Sequence, residues 1–331
     1  MSRTVTLDAP PARDAEAATT LQSISLCPTI YHEAWWLDLC GVGKVEEVSV
    51  KRDDATIARM PFILSRHLGL ITCSLPPLVH FGGPAFAPMD GPPLGQMQRR
   101  NDLTRDLIAR LPRHDLFSMK LHHGVTDTLA FQREGFKTAV QFSVEVDPVP
   151  PDKIWAGIRR GHRRLIRDAQ AIYAVDAMAE PDEFVAFYAS NIANAGKSFR
   201  YDAALVTRLI AACLERGRGH VALARDASGV PKAGLFTMWD SGRMYNFLGT
   251  RDAGREDGSA SVLLVWSALQ EAAKRGLVFD FDGVFNAGQV QYFSGFGGRV
   301  TPRYIVSRAT KAARVAYGLY DLTKSRKEHV F

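Results

Sequence analysis

The chain has little cysteine and no long hydrophobic segment. Its four cysteines are scattered through 331 residues, without the close spacing of a metal or redox motif: Cys27, Cys40, Cys73 and Cys213. This scarcity argues against a zinc site and a disulfide framework, and it favours a reducing, cytoplasmic location. No apolar run approaches the roughly 18 residues of a membrane-spanning helix. We therefore expect no membrane span.

The N-terminus also lacks the apolar core of a signal peptide. It is rich in alanine, proline and threonine, so we expect residues 1–22 to be a disordered lead-in. The formal charge of +6 and the pI near 9.2 permit an anionic partner, such as a nucleotide, CoA, RNA or a lipid head group. The charge selects none of these, and we expect no DNA partner.

Two parts of the chain repeat one order of strands and helices. Residues 48–64 read VSVKRDDATIARMPFIL, and residues 221–239 read VALARDASGVPKAGLFTMW. Each reads as strand, Asp-containing turn, strand. Residues 106–121 and 268–284 likewise each read as helix, short break, strand. The repeat predicts an α/β chain of two domains, residues 23–148 and 149–331.

A glycine-rich loop between a strand and a helix is present only in the second copy. Residues 255–260 read REDGSA, the form R-x-x-G-x-A. Gly258 and Ala260 leave room for a phosphate to approach backbone N–H groups, while Arg255 and Ser259 add a charge and a hydroxyl donor. The loop is neither a Walker motif nor a dinucleotide fingerprint. The proline-rich counterpart in the first copy cannot open a helix in this way, so we expect a single donor site.

The loop resembles the GNAT acyltransferase superfamily, in which R/Q-x-x-G-x-G/A binds the CoA pyrophosphate. The doubled unit resembles, more specifically, the two-domain Fem-type (FemABX-like) branch of aminoacyl and acyl transferases over about residues 30–310. Three further segments share in this resemblance: WAGIRRGHRRLIRDA (155–169), AKRGLVFDFDG (273–283) and YFSGFGG (292–298).

The resemblance implies a fold and an activity. The fold would be two tandem GNAT-like domains, each a mixed, largely antiparallel sheet flanked by helices. The activity would be direct transfer of an acyl group to a small-molecule amine or peptide acceptor. The donor would lie on the second domain and the acceptor in the cleft between domains. Acetyl-CoA or another acyl-CoA would be the cosubstrate, with no tightly bound cofactor and no metal.

One departure bears on the donor. Fem-like sequences often read F-K-x-x-F-G at this turn, and Phe293 stands here in place of the lysine. A lysine would suit the anionic 3′ end of an aminoacyl-tRNA, so its absence favours acyl-CoA. Aminoacyl-tRNA-dependent transfer remains an alternative, and so does a non-catalytic nucleotide- or anion-binding protein on a GNAT scaffold.

Between the copies, residues 151–170 predict a helix with a run of arginines, which are Arg159, Arg160, Arg163, Arg164 and Arg167. Arginines at i, i+4 spacing share one face of a helix. This face is either a basic wall that meets phosphates, such as those of RNA, or a solvated surface paired with local acids such as Asp168.

Candidate catalytic residues follow the helix of the second copy. Asp280 and Asp282 alternate with Phe279 and Phe281, so we expect both carboxylates on one side of a strand. One of them would accept the amine proton or hold a cationic acceptor, or else cap the turn or pair with an arginine. Tyr292 is either the acid for the leaving group or a packing residue.

The remaining candidates concern substrate contacts. Asn286 either bonds the pantetheine amides or serves as a turn residue. Four residues are expected to line the acceptor pocket: Tyr245, Lys197, Arg200 and Tyr201. The pair His122–His123 has no further ligands at metal-binding spacing, so a structural role is expected.

Overall fold

The computed structural model describes residues 26–41, 43–67, 69–252 and 258–315. The predicted lead-in (1–22) and Arg255 lie outside these ranges. The chain forms two compact units. Unit 1 takes the described residues of Met1–Leu37, Lys44–Thr138 and Val306–Phe331, and unit 2 takes those of Asp38–Gly43 and Ala139–Ile305.

The elements of the first part of the chain alternate strands and helices. In order they are a 3₁₀ turn (Ile30–His32), α1 (Ala34–Gly41), β1 (Val45–Arg52), β2 (Ala55–His67), β3 (Leu70–Ser74), β4 (Ala85–Phe86), α2 (Pro93–Ala109), β5 (Leu116–Lys120), α3 (Leu129–Arg133) and β6 (Lys137–Val146). In unit 1 the strands are ordered β1-β2-β3-β5, with β4 also paired to β2. Only the β3–β5 pair is parallel among these.

The second part begins with helices and then adds further strands. In order it contains α4 (Pro151–Gly157), α5 (Arg160–Gln170), β7 (Ala174–Asp176), α6 (Pro181–Asn194), α7 (Ala203–Glu215), β8 (Gly219–Arg225), β9 (Pro231–Trp239), β10 (Arg243–Arg251), α8 (Ser259–Lys274), β11 (Val278–Asp280), α9 (Ala287–Phe293), a 3₁₀ turn (Ser294–Phe296) and β12 (Arg299–Ala309).

The strands of unit 2 have the order β7-β8-β9-β10-β11-β6, with β12 beside β6. The β10–β11 pair is parallel, while β7–β8, β8–β9, β9–β10 and β11–β6 are antiparallel. A parallel pair needs a crossover connection, and α8 supplies it. In both units the strand pairing is mixed and largely antiparallel, and the strands are flanked by helices, which confirms the predicted fold class.

The core of unit 2 explains why α8 forms where it does. Its apolar residues, including Val262, Leu263 and Leu269, are buried against Val144, Val146, Met244 and Phe279 of the sheet. The helices α4 and α5 complete this layer through Ile154, Ile158 and Ile166. Of the described helices, none is long and apolar enough to cross a membrane.

The single helix predicted over residues 151–170 is two helices. The chain is extended at Ile158 (ψ 134°) and Arg159 (ψ 146°), so α4 ends at Gly157 and α5 begins at Arg160. The Arg159 N–H donates to the Gly295 carbonyl at 2.9 Å instead of to a carbonyl within a helix. Glycines at 157 and 161 favour a break here because glycine weakens a helix interior.

The two units divide the chain at positions other than the predicted 148/149. Strand β6 belongs to unit 2 from Ala139, and the described residues from Val306 onward belong to unit 1. A strand belongs to the unit that contains its hydrogen-bonded neighbours, and the order of strands along the chain does not determine which neighbours those are. The predicted domain limits therefore remain a prediction.

Candidate active site

The N-terminus of α8 lies close to the end of β10. Gly258 is the N-cap of this sixteen-residue helix and has a left-handed backbone (φ 61°). A Cβ on Gly258 would lie 3.2 Å from Nη1 of Arg251, the last residue of β10. Ser259 and Ala260, in the first turn, are buried. A guanidinium thus lies beside the positive end of a helix dipole, which makes this an anion-binding position.

Arg251 is a site residue that sequence reasoning missed. It precedes the R-x-x-G-x-A pattern and is the exposed end of a strand. Its position in the sequence could have indicated this role, because the last strand residue before a glycine-rich loop can turn its side chain toward the helix that follows.

Tyr292 of α9 lies within reach of the Arg251 charge. Burial raises the pKa of Tyr292 well above its ordinary value, and the charge of Arg251 only partly opposes this shift. Its ring packs edge-on against Phe296, with ring centres 5.4 Å apart. The hydroxyl therefore keeps its proton at neutral pH and is a hydrogen-bond donor.

The N-terminus of α5 is fixed beside α9 through His162. The ring Nε2 of His162 is 3.0 Å from the Tyr292 carbonyl oxygen. A Cβ on Gly295 would overlap this imidazole, so only glycine fits there. Burial, and to a lesser degree the charge of Arg159, lowers the pKa of His162. The neutral ring donates to the Tyr292 carbonyl and holds the Tyr292 segment against α5.

Asp280 and Asp282 have different surroundings. Strand β11 ends at Asp280, and Asp282 has a left-handed backbone (φ 62°) just beyond it. The Asp280 Oδ1 accepts from the Ser143 hydroxyl at 2.5 Å and from the Asp282 N–H at 2.9 Å, and its Oδ2 accepts from Arg303 at 2.7 Å. Asp280 is therefore a fully buried, ion-paired carboxylate that holds the Asp282 turn in place.

A network of arginines extends this ion pair. Arg303 also donates to Glu145 (2.5 Å), and the same carboxylate meets Arg243 (3.4 Å) and Arg299 (2.7 Å). Burial by itself would raise the pKa of Glu145, but the hydrogen bond from Arg303 and the arginine charges lower it below the ordinary value. The network joins both carboxylates to arginines on the face of the sheet opposite Phe279 and Val144.

Phe279 and Phe281 lie together in the core, with ring centres 5.1 Å apart. Phe293 stands at the position of the lysine in the F-K-x-x-F-G pattern. It is buried and packs on Phe281, with ring centres 4.4 Å apart. A lysine would be poorly accommodated there, because its charge would lose water without an acidic partner in the ring stack.

Asn286 is the N-cap of α9. Its side chain accepts from the Gln289 N–H at 2.9 Å, the usual geometry of a helix cap. Asn286 is exposed. The structure thus gives Asn286 a local structural role at the end of the Asp282 turn.

The four residues predicted to line the acceptor pocket are in two settings. Tyr245 is buried in β10, its hydroxyl donates to Asp240 at 2.7 Å, and burial raises its pKa well above the ordinary value. Lys197, Arg200 and Tyr201 lie in the segment between α6 and α7. The Asn191 amide donates to the Thr250 hydroxyl at 3.1 Å, which places the end of α6 beside the end of β10.

The arginines of α5 form an exposed face. Arg164 pairs with Asp168 at 3.5 Å, as expected if this face is a solvated surface paired with local acids. The Arg167 guanidinium lies 5.4 Å from the centre of the Trp155 ring. Arg159 and Arg160 are exposed at the start of the helix. The face is thus only partly neutralised by acids of the same helix.

His122 is hydrogen-bonded through both of its ring nitrogens. Its Nδ1 accepts from the Gly124 N–H at 3.1 Å, and its Nε2 lies 3.0 Å from the Pro84 carbonyl. This pattern requires a neutral ring with its proton on Nε2. The described residues hold no group of three or more histidine, cysteine or acidic side chains suited to a metal.

Comparison with known families and structures agrees with this architecture. Residues 153–293 match the family model described as Acetyltransferase (GNAT) domain. The crystal structure of FemX has a TM-score of 0.65 at 12% identity, covering 92% of this chain and 98% of FemX. At these levels of identity the likeness is one of fold.

Two further solved structures have the same fold over nearly their full length. The C-terminal domain (DUF2156) of a putative lysylphosphatidylglycerol synthetase from Agrobacterium fabrum has a TM-score of 0.56 at 14% identity, covering 94% of this chain and 97% of that one. A tandem GNAT protein from the clavulanic acid biosynthesis pathway has a TM-score of 0.52 at 11% identity, with coverage of 90% and 96%. No curated protein matches the chain in sequence.

Proposed function

We propose that this chain, which has the Fem-like two-domain fold and matches a GNAT domain model over residues 153–293, is an N-acyltransferase that uses acyl-CoA. The observation that carries the proposal is the start of α8. There a left-handed glycine, a buried first turn and the guanidinium of Arg251 lie together at the end of β10.

The pyrophosphate of the donor would bind at this helix start. Gly258 has no side chain to cap the first-turn N–H groups of α8, and such groups attract anions together with the helix dipole. Arg251 adds a full positive charge at the same point. Ser259 and Ala260 begin the buried face that anchors the helix. Arg255, the first residue of the sequence pattern, is proposed as a second cation on the basis of that pattern alone.

The acyl group would then pass directly to an amine. The amine nitrogen attacks the thioester carbonyl carbon, a C–N bond forms, the C–S bond breaks, and CoA leaves as its thiolate. The nitrogen gives up a proton, for which we propose Asp282 as the acceptor. The proton is then returned, through solvent, to the thiolate. The products are an amide and CoA.

Tyr292 would assist as a hydrogen-bond donor. Because burial raises its pKa, transfer of its proton to a thiolate would be uphill, whereas a hydrogen bond to the departing sulfur or to the developing oxyanion is favourable. Asp280 would act as a positioning residue, since its oxygens hold the Asp282 N–H and Arg303. Lys197, Arg200 and Tyr201 are proposed to contact the acceptor, because their segment follows α6 beside the end of β10.

A second candidate is aminoacyl-tRNA-dependent transfer. The exposed arginines of α5 favour it, because α5 is held next to Tyr292 by His162 and a basic helix face suits an RNA backbone. FemX and the putative lysylphosphatidylglycerol synthetase domain share the fold. In this case, donor binding would weaken steeply with added salt.

Thiol release from acyl-CoA tests the proposal. The full-length protein is mixed with acetyl-, butyryl- or decanoyl-CoA and a panel of primary amines and short peptides, and free CoA thiol is measured. We expect amine-dependent thiol release that Asp282→Asn lowers on the order of 100-fold, the usual effect of removing a general base. Parallel reactions with mixed aminoacyl-tRNA follow transfer of labelled amino acid.

Two results would overturn the acyl-CoA proposal, and a third would overturn only the assignment of the base. Transfer from aminoacyl-tRNA with no thiol release from any acyl-CoA would assign the second candidate. Binding of CoA without any turnover would indicate a non-catalytic nucleotide-binding protein. Turnover that Asp282→Asn leaves unchanged would remove the proposed base.

A further inference from the structure

Unit 1 contains a groove that the proposed reaction does not use. Its cavity volume is about 510 Å³, within the size range of small-molecule sites. One wall is α2, whose groove-facing residues run from Pro93 to Thr104, a distance of about 16 Å at the α-helical rise. The opposite wall is the segment from Gly124 to Phe131, including the start of α3.

The α2 wall is apolar at its N-terminal end and polar at its C-terminal end. Leu94 and Met97 are at its N-terminal end, and Leu94 is 71% exposed, which is unusual for a leucine on a helix that packs against a sheet. Arg100, Asn101 and Thr104 follow at the C-terminal end. Phe131 adds a buried aromatic ring to the other side. The groove is therefore amphipathic along its axis.

The polar end offers donors. The Asn101 Oδ1 accepts the Ala130 N–H at 3.1 Å, which fixes the amide and turns its N–H₂ group to other partners. No hydrogen bond or ion pair joins the Arg100 guanidinium to another residue of the described ranges, whereas its neighbour Arg99 donates to the Asp90 carbonyl. Arg100 is thus the cation available to a ligand in this groove.

The groove carries little net charge. Asp127 stands on the wall opposite Arg100, and its Oδ1 caps the Leu129 N–H at 3.1 Å. One guanidinium and one carboxylate balance, so a polyanion such as CoA or a phosphate ester with two charges would meet repulsion from Asp127. A single carboxylate suits Arg100, because the planar guanidinium binds it in a bidentate manner.

We propose that this groove is a binding site for an amphipathic monocarboxylate, its carboxylate on Arg100 and Asn101 and its aliphatic chain along Met97 and Leu94. From Asn101 to Pro93 the wall is about 12 Å long at the α-helical rise, which accommodates an extended chain of about ten carbons. The site is separate from the donor position at α8, since every residue lining it belongs to unit 1.

Isothermal titration of the full-length protein with sodium decanoate tests the proposal, with decylamine and decyl phosphate as comparison ligands. We expect saturable one-to-one binding of decanoate, weaker binding of decyl phosphate and none of decylamine. Arg100→Gln should weaken decanoate binding by about tenfold or more, as expected for loss of a charged hydrogen bond. Arg110→Gln, an exposed arginine at the end of the same helix, should leave it unchanged.

A second variant and a competition experiment with CoA complete the test. Leu94→Glu, at an exposed position, should weaken decanoate without loss of the folded state, which circular dichroism monitors. Saturating CoA should not displace decanoate, whatever the outcome at the α8 site. The proposal is overturned if decanoate shows no saturable binding, if CoA competes with it, if decylamine binds as tightly, or if Arg100→Gln and Arg110→Gln behave alike.

Discussion

Asp280 and Asp282 are two residues apart, but we expect their substitution to have different effects. Substitution of Asp280 should lower stability, and substitution of Asp282 should lower activity. Asp280 is fully buried and bonded to Arg303 and Ser143, so replacing it with asparagine leaves Arg303 and Glu145 in an unbalanced buried network. We expect Asp280→Asn to lower the free energy of unfolding by about 3–5 kcal/mol, the range for breaking a buried ion pair. Urea denaturation measures this loss.

Asp282→Asn is the matched comparison. It lies beyond the strand in a left-handed turn, a conformation that asparagine adopts as readily as aspartate. Asp282 is itself buried, so we expect a loss of about 1 kcal/mol in unfolding free energy, smaller than that of Asp280→Asn, together with the lower kcat described above. Equal destabilisation by both substitutions would show that the two carboxylates form one structural unit.

Gly258 gives a residue-scale prediction about the donor. Alanine there must adopt φ near 61° and place its Cβ 3.2 Å from the Arg251 guanidinium. We expect Gly258→Ala to raise the KM for acyl-CoA by about tenfold, in addition to a strain of about 1 kcal/mol. Steady-state kinetics at varied acyl-CoA measures the change in KM.

Gly229→Ala is the control for strain. Gly229 also has a left-handed backbone (φ 82°), and a Cβ there has open space around it. It should cost similar stability and leave the KM unchanged. If both substitutions raise the KM equally, global strain and not the phosphate position explains the effect.

At this scale the sequence pattern located the candidate acids but not their roles. Alternation along a strand placed Asp280 and Asp282 together, and both phenylalanines are indeed in the core. The pairing of Asp280 with Arg303 joins β11 to β12, residues 23 positions apart, and a pattern read along one segment contains no information about that partner. Arg251 was missed for the same reason, because its role depends on the direction of the side chain.

The element that most constrains the site is the junction of α5 with the 3₁₀ turn at 294–296. His162 fills the space over Gly295, and Arg159 donates its N–H to the Gly295 carbonyl. We expect Gly295→Ala to lower the free energy of unfolding by about 1–3 kcal/mol, because its Cβ would overlap the imidazole in a packed region. Urea denaturation and the KM for the amine would be measured together.

Gly276→Ala provides the control for that element. Gly276 ends α8 with φ 68°, and a Cβ there contacts nothing within 4 Å. Its strain should lower stability without affecting the amine KM. If Gly295→Ala is no more destabilising than Gly276→Ala, the contact between His162 and Gly295 does not hold α5 in place.

Element boundaries followed from the sequence where local signals were strong. The predicted hairpin at Asp53 and Asp54 is present as β1 and β2, with φ values of 48° and 62° at the turn. A two-residue turn with positive φ is read directly from such residues. The break between α4 and α5 was not predicted, because it depends on the Gly295 carbonyl, a partner more than 130 residues away.

For the whole molecule, we expect histidines with lowered pKa values to make the stability of the fold sensitive to acid. Burial lowers the pKa of His32 most strongly, and also that of His162 and His220. In the unfolded chain their pKa is about 6.5. Between the folded and unfolded values the unfolded state binds more protons, so stability is present above pH 6.5 and is lost as the pH falls below it.

Urea midpoints at pH 7.5 and pH 5.5 measure this effect. We expect a lower urea midpoint at pH 5.5, because the free energy of unfolding falls by up to about 1.4 kcal/mol per histidine for each pH unit below 6.5. The contribution of Glu145, whose pKa is lowered, is lost only at more acidic pH, so it does not enter this comparison. His32→Gln should reduce the difference. A midpoint that rises at pH 5.5 would contradict the assignment of neutral buried rings.

The most direct test of the proposed function is an isothermal titration of acetyl-CoA into the full-length protein, its Arg251→Gln variant and an Arg216→Gln control. Arg251 lies at the start of α8, whereas Arg216 lies at the end of α7 and bonds the Ala212 carbonyl. We predict one CoA bound per chain, with affinity reduced about tenfold by Arg251→Gln and unchanged by Arg216→Gln. Absence of binding by acetyl-CoA and longer acyl-CoAs, or equal affinity in all three proteins, would contradict a CoA donor at this helix.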